Sequence, residues 1–258
     1  MIGAIAGDII GSYYEVCSTK DSDFVLFPEE CRFTDDTVLT VAVADWLLNG
    51  GELVDGLHAY VKAYPQAGYG KTFIRWAGCK LREPYNSWGN GSAMRVSPVG
   101  FAFDALDTVL TKAKESAAVT HNHEEGIRGA QATAAAIFMA RNGHKKSDIR
   151  ASIQSKFGYD LNRTIADIRP DYSFDVSCQG SVPESIIAFL DSNDYEHAVR
   201  NAVSLGGDAD TMACIAGGIA EAYYGGIPEF IREKTFEVLD ERLTGIVKDF
   251  ELRFRVTA

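Results

Sequence analysis

Two short stretches of this chain set carboxylates beside hydroxyls. Phe33-Thr34-Asp35-Asp36-Thr37-Val38-Leu39-Thr40 places adjacent acids between threonines just before an apolar run, and Leu205-Gly206-Gly207-Asp208-Ala209-Asp210-Thr211-Met212-Ala213 repeats the chemistry far along the chain. Thr and Asp are favoured N-caps, and acids in a first helical turn meet the positive end of the helix dipole. Either stretch alone therefore reads as a capped helix start. The pair together reads differently. Burying a carboxylate without a partner costs on the order of several kcal/mol, so if the two helix starts lie side by side, four carboxylates and two hydroxyls converge and demand cations. Oxygen-only donors suit a hard divalent ion, Mg²⁺ or Mn²⁺ ahead of Zn²⁺. Four carboxylates neutralise two such ions, and a pair about 3.5 to 4 Å apart holds and activates a bridging water.

Other segments supply further polar groups. Gly3, Gly7, Gly11 and Glu15 step by four residues, so the glycines form a bare stripe for close helix packing, with Glu15 at its end. Asp8 lies two turns before Glu15 on nearly the same face. For both acids a salt bridge, a cap and a metal contact remain open on spacing alone. Asn86 to Gly100 reads NSWGNGSAMRVSPVG. There Asn90-Gly91-Ser92 offers unobstructed backbone N–H groups suited to phosphate oxygens, with Arg95 one turn on, although an ordinary turn is the commoner reading. Thr120-His121-Asn122-His123 has its histidines at i, i+2 rather than the i, i+4 of a helical zinc site. His121 suits stacking on or hydrogen-bonding a ligand, and His123 suits a cap or solvent.

The elements that must position these residues read as helices. Apolar spacing predicts helices over Asp36 to Leu48, Glu52 to Tyr64, Lys71 to Ala77, Leu106 to Ala118, Glu124 to Arg141, Ser147 to Lys156, Val182 to Leu190, Tyr195 to Leu205, Asp210 to Tyr223, and Pro228 to the C-terminus. Tyr85 to Gly91 and Asp160 to Ser177 read as loops. No period-two run leads into a hairpin turn, so the fold is expected to be all-α.

The chain has 258 residues, 46% hydrophobic and 24% charged, with no linker, repeat or low-complexity segment, and one domain over 1–258 is expected. Its net charge of −11 opposes bulk nucleic-acid binding and anionic membrane surfaces. An anionic ligand therefore needs a local device such as a metal or a glycine-rich nest. MIGAIAGDIIGSYYE lacks a basic leader and interrupts its apolar run with Asp8, unlike a signal peptide. The run Met212 to Tyr224 is broken by Glu221 and too short to span a bilayer. Five cysteines without C-x-x-C spacing fit reduced thiols and a cytoplasmic location.

Taken in order, GAIAGDIIGSYYE, FTDDTVLT, GNGSAMRVSPVG, VTHNHEEGIRGAQATAAAI and SLGGDADTMACIAGGIAEAYYG resemble the ADP-ribosylglycohydrolase family, which includes dinitrogenase reductase-activating glycohydrolase and the ADP-ribosylarginine hydrolases. The resemblance implies a compact orthogonal helical bundle with two divalent cations, Mg²⁺ or Mn²⁺. It also implies hydrolysis at C1'' of ADP-ribose, with ADP-ribose or an ADP-ribosylated protein as partner. By position it implies Thr34, Asp35, Asp36, Asp208, Asp210 and Thr211 as metal ligands, Glu15 as an acid near the metals, and Asn90, Gly91, Ser92 and His121 along the ADP-ribose pocket. Asp35 or Glu15 is the expected general base. The segment Asp160 to Ser177 has no clear counterpart, which leaves the cleaved linkage unassigned. Two rivals stand beside this reading: a metal-dependent phosphohydrolase attacking the pyrophosphate, and a non-catalytic ADP-ribose binder on the same scaffold. The HD-type phosphohydrolase is excluded because no histidine here is followed by Asp.

Overall fold

The computed structural model describes residues 1–254. They form fifteen helices: α1 (Ile2–Val16), α2 (Asp35–Asn49), α3 (Leu53–Ala63), α4 (Lys71–Gly78), α5 (Gly91–Met94), α6 (Ser97–Ala102), α7 (Leu106–Ala118), α8 (Glu124–Arg141), α9 (Lys146–Phe157), α10 (Ile165–Ile168), α11 (Cys178–Leu190), α12 (Tyr195–Val203), α13 (Ala209–Tyr224), α14 (Glu229–Val238) and α15 (Glu241–Phe254). The fold is all-α. Among the described residues the β content is one isolated bridge between Gly89 and Ser177.

The seam that positions the acidic groups is α1 against α13, and glycine makes it possible. A Cβ on Gly7 would stand 2.1 Å from the carbonyl oxygen of Ala213, and one on Gly11 would stand 2.5 Å from that of Ala209. The expected bare stripe is thus where α13 lies on α1, backbone to backbone. Glu221 fastens one end of the seam, accepting from the Met1 amine at 2.7 Å and from Gly3 N at 2.8 Å, all of it buried. The opposite end of α13 begins at Asp208, its N-cap. Close packing along the seam therefore delivers Asp208 and Asp210 to Asp8 and Glu15.

The helix α2 is delivered to the same place by Asp8. Its buried carboxylate accepts from Thr34 N at 2.9 Å, Thr34 Oγ1 at 2.6 Å, Thr37 N at 3.0 Å and the Thr37 hydroxyl. A side chain of α1 so satisfies the orphan donors of another helix's first turn.

Several expected boundaries move. The short helices α5 and α6 span too few residues for apolar periodicity to register. Within the expected loop Asp160 to Ser177, α10 forms on a capping box between Thr164 and Asp167. The helix expected from Val182 starts at Cys178, because Ser177 caps it by accepting from Gly180 N at 3.0 Å, and Pro183 is tolerated inside. The run expected from Pro228 to the C-terminus is two helices, parted where the Asp240 carboxylate accepts from Leu243 N at 2.8 Å. Its final residues, 255–258, lie outside the described residues.

Candidate metal centre and ligand cavity

The starts of α2 and α13 do lie side by side. Thr211 Oγ1 donates to Asp36 Oδ2 at 3.3 Å, and Asn90 Nδ2 donates to Asp208 Oδ2 at 2.7 Å, joining the first motif, the second and the Asn90-Gly91 turn. Two carboxylate triads form there. Asp8, Asp36 and Asp210 make one, and Glu15, Asp208 and Asp210 the other, each with oxygens within 4.8 Å of one another. Asp210 belongs to both.

Electrostatics records the strain of this packing. Burial first, then the charges of Asp8 and Asp35, push Asp36 well above the usual carboxylate range. Burial and the neighbouring Asp208 do the same to Asp210. Asp208 is raised by burial, with the Asn90 amide pulling the other way. Glu15, at the lip, is raised by burial and by Asp208, while Arg32 opposes. Asp35 is pushed up to about 8, by burial and then by Asp8. It is half-buried and belongs to neither triad; a Cβ on Gly68 would stand 3.5 Å from its Oδ1.

Divalent cations fit this donor set. Every donor of the two triads is a hard carboxylate oxygen, Arg32 opposes their charge only at Glu15, and buried Asp36 Oδ1 has no hydrogen-bond partner. Asp8 differs from its neighbours, because donors of α2 already occupy its oxygens. Its position within an apolar run was the one sequence signal for its burial.

The cluster floors a cavity of roughly 650 Å³ whose wall includes Thr34, Asp35, Gly89, Asn90, Gly91, His121, Phe174 and Val176. Asn90, Gly91 and His121 thus meet the expected cavity. Ser92 departs from expectation: its hydroxyl is wholly buried and donates to Gly126 O at 2.7 Å, fastening α5 to α8 rather than facing a ligand. His123 caps α8, its Nδ1 accepting from Glu125 N at 3.1 Å. Phe174 and Val176, from the segment without a family counterpart, were not anticipated. Sequence offers no periodic signal for such loop residues.

The whole-chain comparison decides the family. The ADP-ribosylglycohydrolase family model matches residues 1–257. The chain belongs to the ADP-ribosylglycohydrolase family. It is accordingly an enzyme of the ADP-ribosyl hydrolase type. The human ADP-ribosylhydrolase ARH3 is 28% identical, with 87% of this chain and 84% of that protein covered. The ADP-ribosylarginine hydrolase Tri1 of Pseudomonas putida is 24% identical, over 75% of this chain and 59% of that one. A solved chain described as an ADP-ribosylglycohydrolase-related protein complex shares the fold with a TM-score of 0.72 at 24% identity, covering 98% of this chain and 97% of the other. The orthogonal helical bundle expected of the ADP-ribosylglycohydrolase family is therefore the architecture of this member. No described helix is long and apolar enough to cross a membrane.

Proposed function

We propose that this ADP-ribosylglycohydrolase releases ADP-ribose from a modified protein side chain or related conjugate, by hydrolysis at C1'', using two divalent cations, Mg²⁺ or Mn²⁺. The carrying observation is Asp210, shared by two carboxylate triads at the floor of a cavity of nucleotide-sugar size. Asp36, Asp210, Glu15 and Asp208 would hold the ions, with the hydroxyls of Thr34 and Thr211 beside them, and Asp8 would keep α2 in place. Ions so held lower the pKa of water and orient sugar hydroxyls.

The chain's own groups do the rest. Cleavage at an anomeric carbon builds positive, oxocarbenium-like charge, and a cavity floored by carboxylates favours it. Asp35, which stands in the wall yet outside both triads, is positioned to take the proton of an attacking water, and Glu15 at the lip is the second candidate. His121 and the Asn90-Gly91 turn would grip the ligand away from the reacting carbon.

The relatives support the reaction class. One is named an ADP-ribosylhydrolase and another an ADP-ribosylarginine hydrolase. The test is incubation with ADP-ribosyl-arginine and ADP-ribosyl-serine peptides, with and without Mg²⁺ or Mn²⁺, reading released products. Cation-dependent ADP-ribose is expected. AMP would indicate pyrophosphate cleavage instead, and binding without turnover would indicate a non-catalytic binder.

A further inference from the structure

Arg95 is wholly buried, and no carboxylate pairs with it among the described residues. Its Nη2 donates to Ser116 O at 2.8 Å and to Thr120 Oγ1 at 2.9 Å, while Nε and Nη1 have no partner. A buried cation without a counter-charge is expensive to keep, so its effect on its neighbours matters.

Thr120, also wholly buried, passes that effect on. A hydroxyl has one proton to give and two lone pairs. One lone pair is taken by Arg95. Two acceptors stand near the Thr120 proton: His121 Nδ1, at a hydrogen-bond distance of 2.7 Å, and the Tyr85 phenol oxygen, which feels the Thr120 hydroxyl but makes no hydrogen bond of good geometry with it among the described residues. Were Nδ1 protonated, the threonine oxygen would face donors from Arg95 and His121 and its own proton would be left to the poorly aligned Tyr85 phenol, giving up the 2.7 Å acceptor for a worse one. Nδ1 therefore accepts, which places the proton of a neutral imidazole on Nε2.

The surroundings also oppose the imidazolium. Burial first, then the Arg95 charge, push His121 well below the ordinary histidine range. Tyr85 packs its ring 5.9 Å from the imidazole, and burial raises its phenol to about 12, so it contributes no negative charge at neutral pH. Nε2 has no protein partner among the described residues and lies against the cavity's glycine turn: a Cβ on Gly91 would stand 3.1 Å from it, and one on Gly89 3.8 Å.

We propose that Thr120 and Arg95 are positioning residues that fix His121 as the neutral Nε2–H tautomer, a one-way hydrogen-bond donor into the cavity. Its ligand partner is then an oxygen acceptor, such as a phosphate or hydroxyl lone pair, and an amine or guanidinium presented there meets a donor and is refused. The identity of that partner rests on reading the cavity as an ADP-ribosyl site; the tautomer does not.

Nitrogen–proton NMR on the Mg²⁺-loaded full chain, labelled at histidine and assigned with His121→Gln, reads the proton directly. We expect protonated Nε2 and bare Nδ1 from pH 8 down to about 5.5. A proton on Nδ1, or titration between pH 6 and 7, overturns the proposal, and this spectrum decides it even if a Thr120 variant fails to fold. Thr120→Val, which keeps the shape and removes the hydroxyl, should mix the tautomers and weaken ADP-ribose binding in calorimetry about tenfold. Thr120→Ser should restore both, and an unchanged tautomer in Thr120→Val sinks the idea. Should the wild-type spectrum agree while ADP-ribose fails to bind, the positioning role stands and the ADP-ribosyl reading falls.

Discussion

At the scale of single residues, the carboxylates divide by what already occupies their oxygens. Asp8 has four donors, two from Thr34 at the N-cap of α2 and two from Thr37 in its first turn, whereas Asp36 Oδ1 has none. Removing charge from Asp8 and from the ion-holding side of the cluster, at Asp210, should therefore have opposite signatures. Asp210→Asn, which touches both triads, should abolish Mn²⁺ binding in calorimetry while the metal-free protein melts no lower than wild type, since one repelling charge has gone. Asp8→Asn should lower metal-free stability by about 1 to 3 kcal/mol in denaturant unfolding, because it unpairs buried donors. Asp35→Asn should cut turnover roughly 10² to 10⁴-fold with cation affinity largely kept, which is what loss of a general base looks like. Full activity of that variant with added Mn²⁺ would remove Asp35 from the role. The titration of Asp35 adds a pH dependence. In the metal-free protein its pKa of about 8 exceeds the ordinary 3.8, so the folded chain keeps a proton that the unfolded chain has released. Its contribution to stability is therefore full at low pH and is lost as pH rises through 8. Cations held by the neighbouring carboxylates would lower that penalty through their positive field, without Asp35 itself ligating them. The rise in melting temperature on adding Mg²⁺ should accordingly be larger at pH 8 than at pH 6, and scanning calorimetry at both pH values checks the order.

At the scale of elements, the decisive contact is α1 on α13. Gly7→Ala would drive a methyl into the Ala213 carbonyl, and because the obstacle is backbone, relief comes only by moving the helices apart. A loss of about 1 to 3 kcal/mol is expected from overpacking. The same movement would draw Asp210 from Asp8 and Glu15, so Mn²⁺ affinity should fall together with stability. Gly50→Ala, where a Cβ meets nothing, tests the backbone alone and should leave Mn²⁺ affinity untouched. This seam was legible in the sequence as a four-residue glycine step, and so were the two acidic helix starts, because each rule involved spans only a few residues. What escaped was set by distant partners. The Ser92 hydroxyl found the Gly126 carbonyl, and α11 gained its first turn from a Ser177 cap. The helices α5 and α10 are too short to carry a period, and Phe174 lines the cavity from a loop whose path no local pattern dictates.

At the scale of the whole molecule, the net charge of −11 and the acidic cavity floor both repel an anionic substrate, and the fold answers locally. On the proposed reading, cations at the cluster, a donor-only His121 and the Asn90-Gly91 turn would make one cavity hospitable to phosphates on an otherwise repelling surface. Among the described residues one apolar cluster runs from α1 to α15, and the acidic groups that meet at the cavity come from its first and last thirds. The ends of the sequence are thereby tied to the chemistry. Glu221, far from the cavity, holds the Met1 amine and Gly3 N, and Glu221→Ala would leave a buried amine unpaired. The expected cost is about 3 to 5 kcal/mol. Because α13 carries both Glu221 and Asp210, cation binding to the folded state should recover part of that loss, by about 2.7 kcal/mol when the ion stands at a hundred times its dissociation constant. Denaturant unfolding of Glu221→Ala with and without saturating Mg²⁺ measures this, and a variant that gains nothing from the ion would show that the cluster does not bind it in the folded chain.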